Sequence, residues 1–181
     1  MPATFSSTQN QMRLAIVIFC FLLAANVVAG QATDKIAAIR KTAEAINNTR
    51  GYKIKVYNFD DTEEVADNGQ ELKGYYQNGH LKKIVYSVGL SNCMKTFEYY
   101  FSDAGLIFVF EKEDDYPEKK DHSGLDFTKL VPAFEGRYYI AKGKVIQSKL
   151  KGHEQSTAAN TADMLSTLKY LMDDLKTAKV M

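Results

Sequence analysis

"TFEYYFSDAGLIFVFEKEDDYP", residues 96–117, packs seven aromatic rings into one short stretch and breaks it with Ser-Asp-Ala-Gly in the middle. A strand sends successive side chains to opposite faces, so Phe97, Tyr99 and Phe101 point one way and Thr96, Glu98 and Tyr100 the other. With Ser102 to Gly105 as the loop, the spacing predicts a hairpin that sets Phe101 opposite Leu106, Tyr99 opposite Phe108 and Phe97 opposite Phe110. These six side chains then share one face, and Glu98 and Glu111 lie on the other. That is the pattern of a half-buried antiparallel pair, in which aromatic cross-strand pairs contribute about 0.2–1 kcal/mol each beyond simple burial. The rings therefore read first as sheet core and only second as a ligand-binding surface.

The same unit occurs twice more. "GYYQNGHLKKIVY" follows Tyr75-Tyr76 with Asn78-Gly79, a strong hairpin signal because a type I′ turn needs positive φ at both central positions. "RYYIAKGKVIQS" follows Tyr138-Tyr139 with Gly143. Three Tyr-Tyr pairs, each succeeded by a turn and a return strand, form an irregularly spaced internal repeat of hairpins. "YKIKVYNF", residues 52–59, is a further alternating strand ahead of them. Two helical patterns bracket the strands. Residues 34–47 carry Ile36, Ile39, Ala43 and Ile46 at three- and four-residue spacing, with Thr33 or Asp34 as N-cap and residues 47–51 as the stop. Met164, Leu165, Leu168, Leu171, Met172 and Leu175 form a stripe on a helix running from about Ser156 to Lys176. The expected fold is α+β: a meander of about six or seven antiparallel strands, as a curved sheet or half-barrel, with the N-terminal and C-terminal helices packed on it. The C-terminal stripe should meet the Phe97, Tyr99, Phe101 side.

The uncharged run from Leu14 to Ala25, led by Arg13 and followed by Asn26-Val27-Val28-Ala29-Gly30, matches a secretory signal peptide and is too short to span a bilayer. Cleavage is expected between Ala29 and Ala32, giving a signal peptide over 1–30 and a single domain over 31–181. The polar residues before Met12 are unusual for such a leader, so Met1 and Met12 both stand as possible starts. Cys20 is preceded by Phe19, where a lipoprotein acceptor wants a small residue. The mature chain then keeps one cysteine, Cys93, and relies on its core rather than on a disulfide. Net charge is +1 with both signs interspersed, which supports neither nucleic-acid binding nor electrostatic membrane docking. The expected location is the periplasm or the exterior, with no membrane insertion after cleavage.

Tyr99, Tyr100, Phe101 and residues 105–111, with Glu135, Arg137, Tyr138, Tyr139, Ile140, Gly143 and Lys144, resemble an uncharacterised group of exported proteins of Bacteroidetes-type bacteria. Chains of that group show a Tyr-Tyr-Phe strand, a glycine turn, Leu-Ile-Phe-Val-Phe-Glu, then Glu-x-Arg-Tyr-Tyr and a Gly-Lys turn. The likeness covers under half of the mature chain and departs after the last turn, where a basic residue and an aromatic are often found. It implies an exported address and a β-meander architecture, and no activity.

Glu135 and Arg137 lie two apart on one strand and so on one face. With Tyr99, Tyr100, Tyr138 and Tyr139 nearby, Arg137 is a candidate site for an anionic or aromatic ligand, since Arg offers a planar fork and Tyr an amphipathic wall. A surface salt bridge is the plainer reading of the same pair. Alternation sends Arg137 and Tyr139 to one face and Tyr138 and Ile140 to the other, so both tyrosines cannot be core in a sheet covered on one side only. Asp60 and Glu71 have the spacing of the outer ligands of an EF-hand loop, but its glycine position holds Val65. Cys93 has no histidine at a spacing that suggests a nucleophile, and a lone cysteine is usually a small apolar filler. Asn47-Asn48-Thr49 fits a glycosylation acceptor, relevant only in a eukaryotic source. No metal, no cofactor and no acid–base–nucleophile set is expected. The favoured function is a non-catalytic module binding a small ligand or an envelope protein. The alternative is an inhibitor or immunity-type protein acting through a charged loop at 111–121, and an enzyme is the weakest reading.

Overall fold

The computed structural model describes residues 33–59, 66–153 and 161–180. The chain divides into two compact units, residues 1–38 and 39–181, and of the first the described part is residues 33–38, the opening of helix α1 (residues 33–48). The expected signal peptide, both candidate starts, Cys20, and Asp60 with Val65 lie outside the described residues.

The second unit is built on one antiparallel sheet. Its strands are β1 (Lys53–Tyr57), β2 (Gln70–Gln77), β3 (His80–Gly89), β4 (Cys93–Ser102), β5 (Gly105–Asp115), β6 (Val131–Ala141) and β7 (Lys144–Gly152), followed by α2 (Thr161–Thr177) and the two-residue β8 (Lys179–Val180). The order across the sheet is β7-β6-β5-β4-β3-β2-β1-β8. The meander with flanking helices is therefore present, with eight strands instead of six or seven. The added strand is the short stretch after α2, which pairs Val180 with Lys55 and Lys179 with Val56. Nothing in two residues of sequence announces a strand.

The central hairpin closes as expected, with Ser102 opposite Gly105 and Phe101 opposite Leu106. The next pairs do not follow. A bulge leaves Ile107 without a partner residue, so Tyr100 faces Phe108, Tyr99 faces Val109 and Phe97 faces Glu111. Phe108 and Phe110 thus leave the face of Tyr99, and Glu98 and Glu111 lie on opposite faces. The reason is that one extra residue inverts everything beyond it, since the side-chain period is two. The other two hairpins do the same at the same step. Tyr76 faces Leu81 and Tyr75 faces Lys83, skipping Lys82; Ile140 faces Val145 and Tyr139 faces Gln147, skipping Ile146. The internal repeat thus includes a bulge on each return strand. The turns before it are of two kinds: Asn78-Gly79 and Lys142-Gly143 have both residues at positive φ, whereas in the central hairpin only Gly105 does.

Both faces of the sheet are covered. On one, Leu72, Ile84, Phe97, Tyr99, Phe101, Val109, Tyr138 and Ile140 pack with Met164, Leu168, Leu171 and Leu175 of α2. The C-terminal stripe meets the Phe97, Tyr99, Phe101 side, as its periodicity requires. Met172 does not belong to it and is exposed, because the buried residues advance by four, three and four from Met164 and Met172 falls beside that line. Gly74 lets the end of α2 approach: a Cβ there would lie 2.9 Å from the Leu175 side chain. Lys55 Nζ donates to the Leu175 carbonyl at 3.0 Å, placing a cation at the negative end of the helix. On the other face Ala43 and Ile46 of α1 pack with Tyr100, flanked by Tyr52, Ile107, Phe108 and Phe110.

Candidate functional site

Alternation along β6 splits the five sequence-derived site residues. Tyr138 faces α2, while Glu135, Arg137 and Tyr139 share the α1 face with Tyr100. Tyr100 and Tyr139 are buried, so neither supplies an exposed ring. The hydroxyl of Tyr100 accepts from Asn47 Nδ2 at 2.9 Å and donates to Glu98, and Lys83 Nζ lies 3.0 Å from that carboxylate. Burial, and next the hydrogen bond to Glu98, push the Tyr100 phenol well above its ordinary range. The hydroxyl of Tyr139 accepts from Arg40 Nε at 2.9 Å, and the same guanidinium lies over the Tyr139 ring. Tyr52 donates to the Ile46 carbonyl at 2.9 Å. These tyrosines form a floor that grips α1 by ring and by hydroxyl.

Arg137 stands apart from that floor. Its guanidinium lies 5.2 Å from the Phe110 ring centroid and 3.0 Å from Glu135, with side-chain exposures of 41% and 32%. Across the ladder Arg137 faces Lys149 directly, and Glu135 faces Lys151. Both lysines are exposed on β7, which ends the sheet. Three cations, Arg137, Lys149 and Lys151, thus lie on one solvent-facing ledge with Glu135, whose carboxylate pairs with Arg137. Like charges directly opposite on neighbouring strands are unfavourable, so this ledge is held by the fold rather than by its own pairing. It offers a forked donor over an aromatic ring with two exposed lysines on the neighbouring strand, a donor set for carboxylate or phosphate groups. The sequence pointed to Arg137 and Glu135 but not to Lys149 and Lys151, whose register depends on the Ile146 bulge.

The α2 face ends in a second charged group of another kind. Lys95, Glu111 and Glu113 are buried, with Lys95 Nζ 3.3 Å from Glu113 and 3.8 Å from Glu111. The Tyr138 hydroxyl donates to Glu111 at 2.9 Å. Its ring lies across Gly136, where an added Cβ would come within 2.8 Å of it. Two buried carboxylates could mark acid–base chemistry, but here a lysine sits between them. Cys93, fully buried nearby, faces Asp115. Burial first, and then the charge of Glu113, push its thiol up to about 11. It is a neutral thiol at physiological pH and a poor nucleophile.

The expected charged loop begins later than the sequence suggested. Residues 111–115 continue β5, and Glu111, Glu113 and Asp114 are buried. The connection is residues 116–130, ordered by a Glu118–Leu125 bridge, by the Asp126 amide donating to the Pro117 carbonyl at 2.7 Å, and by Lys129 on Asp126 at 2.6 Å. It displays Phe127 and Leu130, 54% and 48% exposed, next to exposed Val131.

Among the described residues no group of histidine, cysteine or carboxylate side chains is arranged to hold a metal, and no helix is long and apolar enough to cross a membrane. Comparison with protein-family models, with curated proteins and with solved structures finds no match to this chain.

Proposed function

We propose that this protein is an exported, non-catalytic binding module of a bacterial cell envelope that holds an anionic group of its partner on the Arg137 ledge. The observation that carries the reading is the direct opposition of Arg137 and Lys149 at the β7 end of the sheet. Sequences that violate a local rule at an exposed position tend to do so at functional sites. Arg stacked on an aromatic ring is also a preferred anchor at binding hot spots. The exported address rests on the Arg13-led apolar run and on the resemblance of the YYF and RYY strands to exported bacterial chains. The recovered protein is expected to begin between Gly30 and Thr33, as mass spectrometry of periplasmic material would read.

The test of the ledge is calorimetry with poly-L-glutamate as the anionic probe. Wild type should bind with a marked loss of affinity on raising salt. Arg137→Ala with Lys149→Ala should weaken it by about tenfold or more. Stability should change by only about 0–1 kcal/mol, because the pair is surface-exposed. A Lys176→Ala control should bind as wild type. Equal binding by the double variant would remove the ledge from consideration.

One observation favours a second reading. The ordered 116–130 connection presents Phe127 and Leu130 to solvent, as an inhibitor-type protein inserting a loop into a partner would. Loss of partner capture in Phe127→Asp, with the ledge intact, would select it.

A further inference from the structure

The ledge lies along β7, which among the described residues is the end strand of the sheet. Among the described residues β7 pairs with β6 alone, and beyond the Ile146 bulge its ladder runs regularly from Gln147 to Gly152. Alternate N–H and C=O groups of such a strand point away from the sheet and form a template for another chain. Gln147, Lys149 and Lys151 lie on the α1 face of this edge; Ser148 and Leu150 lie on the α2 face. Leu150 is 61% exposed. Its neighbour on β6 is Gly136, which brings no side chain of its own to shield it.

Resting on the proposed anionic ledge, we infer that the partner presents an extended acidic segment, which adds to β7 as a further antiparallel strand. Its recognition pattern alternates, with carboxylates toward Lys149 and Lys151 and an apolar residue between them beside Leu150. Backbone hydrogen bonds supply affinity in this mode and alternate side chains supply specificity. The same lysines select against a second copy of this chain. Two such edges paired together would bring cation against cation, the device by which edge strands avoid self-association. An acidic strand meets no such barrier, and it brings to Lys149 and Lys151 a negative charge beyond the one that Glu135 gives Arg137.

A short, end-capped synthetic peptide of alternating Glu and Val is the probe, used with the mature chain. Binding is read by calorimetry, and the edge by hydrogen exchange of the β7 amides. The expected result is binding with added protection confined to amides of residues 147–152. N-methylation of the peptide on its inward-facing amides should weaken binding by about tenfold or more, since several hydrogen bonds are lost. Lys149→Glu with Lys151→Glu should turn the preference toward the matching Lys and Val peptide. Should the N-methylated peptide bind equally and the β7 amides gain no protection, strand addition is overturned while the anionic ledge survives. Should neither peptide nor poly-L-glutamate bind, both fall.

Discussion

Tyr138 and Tyr139 are neighbours on one strand and are used in opposite ways. Tyr138 enters the α2 face, where aliphatic and aromatic side chains pack against a helix stripe and its hydroxyl reaches the buried Glu111. Tyr139 enters the α1 face, where the contact is largely aromatic ring and hydroxyl and its partner is Arg40 on the helix. The α2 face ends in an enclosed charge cluster around Lys95, and the α1 face ends in the open Arg137 ledge. Charge is thus placed twice at the margins of the packed regions. Burial makes the first a matter of stability, and exposure leaves the second available to a partner.

The comparison breaks most sharply at Lys95. Lys95→Ala removes the cation that Glu111 and Glu113 face inside the protein, and chemical denaturation should record a loss of about 3–5 kcal/mol. A loss below about 1 kcal/mol would mean that the cluster is solvated and belongs with the exposed ledge.

The two tyrosines give a finer test. Tyr138→Phe deletes a hydrogen bond to a buried carboxylate and should cost about 1.5–3 kcal/mol; Tyr139→Phe deletes one from a partly buried guanidinium and keeps the ring contact, so about 0.5–1.5 kcal/mol is expected. Equal costs would erase the distinction between the faces.

The last effect appears only in alkali. The Cys93 thiol is raised by burial from 9.0 to about 11, so folding favours its protonated form. That contribution is whole below pH 9 and is lost as pH climbs through the folded value. Stability of the wild type should therefore fall between about pH 9 and 11 more steeply than that of Cys93→Ala, followed by urea midpoints. Parallel curves would show a thiol that titrates as in the unfolded chain.

Much of the architecture was legible in residues 96–117 because alternation and turn chemistry are local. Phe101 opposite Leu106 follows from the Asp-Ala-Gly break alone, and Asn78-Gly79 marks its turn unaided. The register past Ile107 was not legible. A β-branched apolar residue suits a regular strand position as well as a bulged one, so nothing in its chemistry signals the skip. The error carried Phe108, Phe110 and Glu111 to the wrong faces and hid the Lys95 cluster, since Lys95, Glu111 and Glu113 meet only in the true register. Arg137 and Glu135 were visible as a same-face pair. Lys149 and Lys151 became part of the ledge only once the equivalent skip at Ile146 was known.

The repeated bulge also decides which length changes this chain can absorb. Removing Ile107 would leave Tyr100 opposite Phe108 and Phe97 opposite Glu111 in an unbulged ladder, but removing the paired Val109 reverses the phase of the strand beyond it and would deliver Glu111 to the tyrosine floor and Phe110 to the ion cluster. Lys82 and Ile146 hold the place of Ile107 in their hairpins. A single-residue deletion at a paired position is, in effect, a frameshift written in side chains, and a deletion at one of the three skipped positions is not.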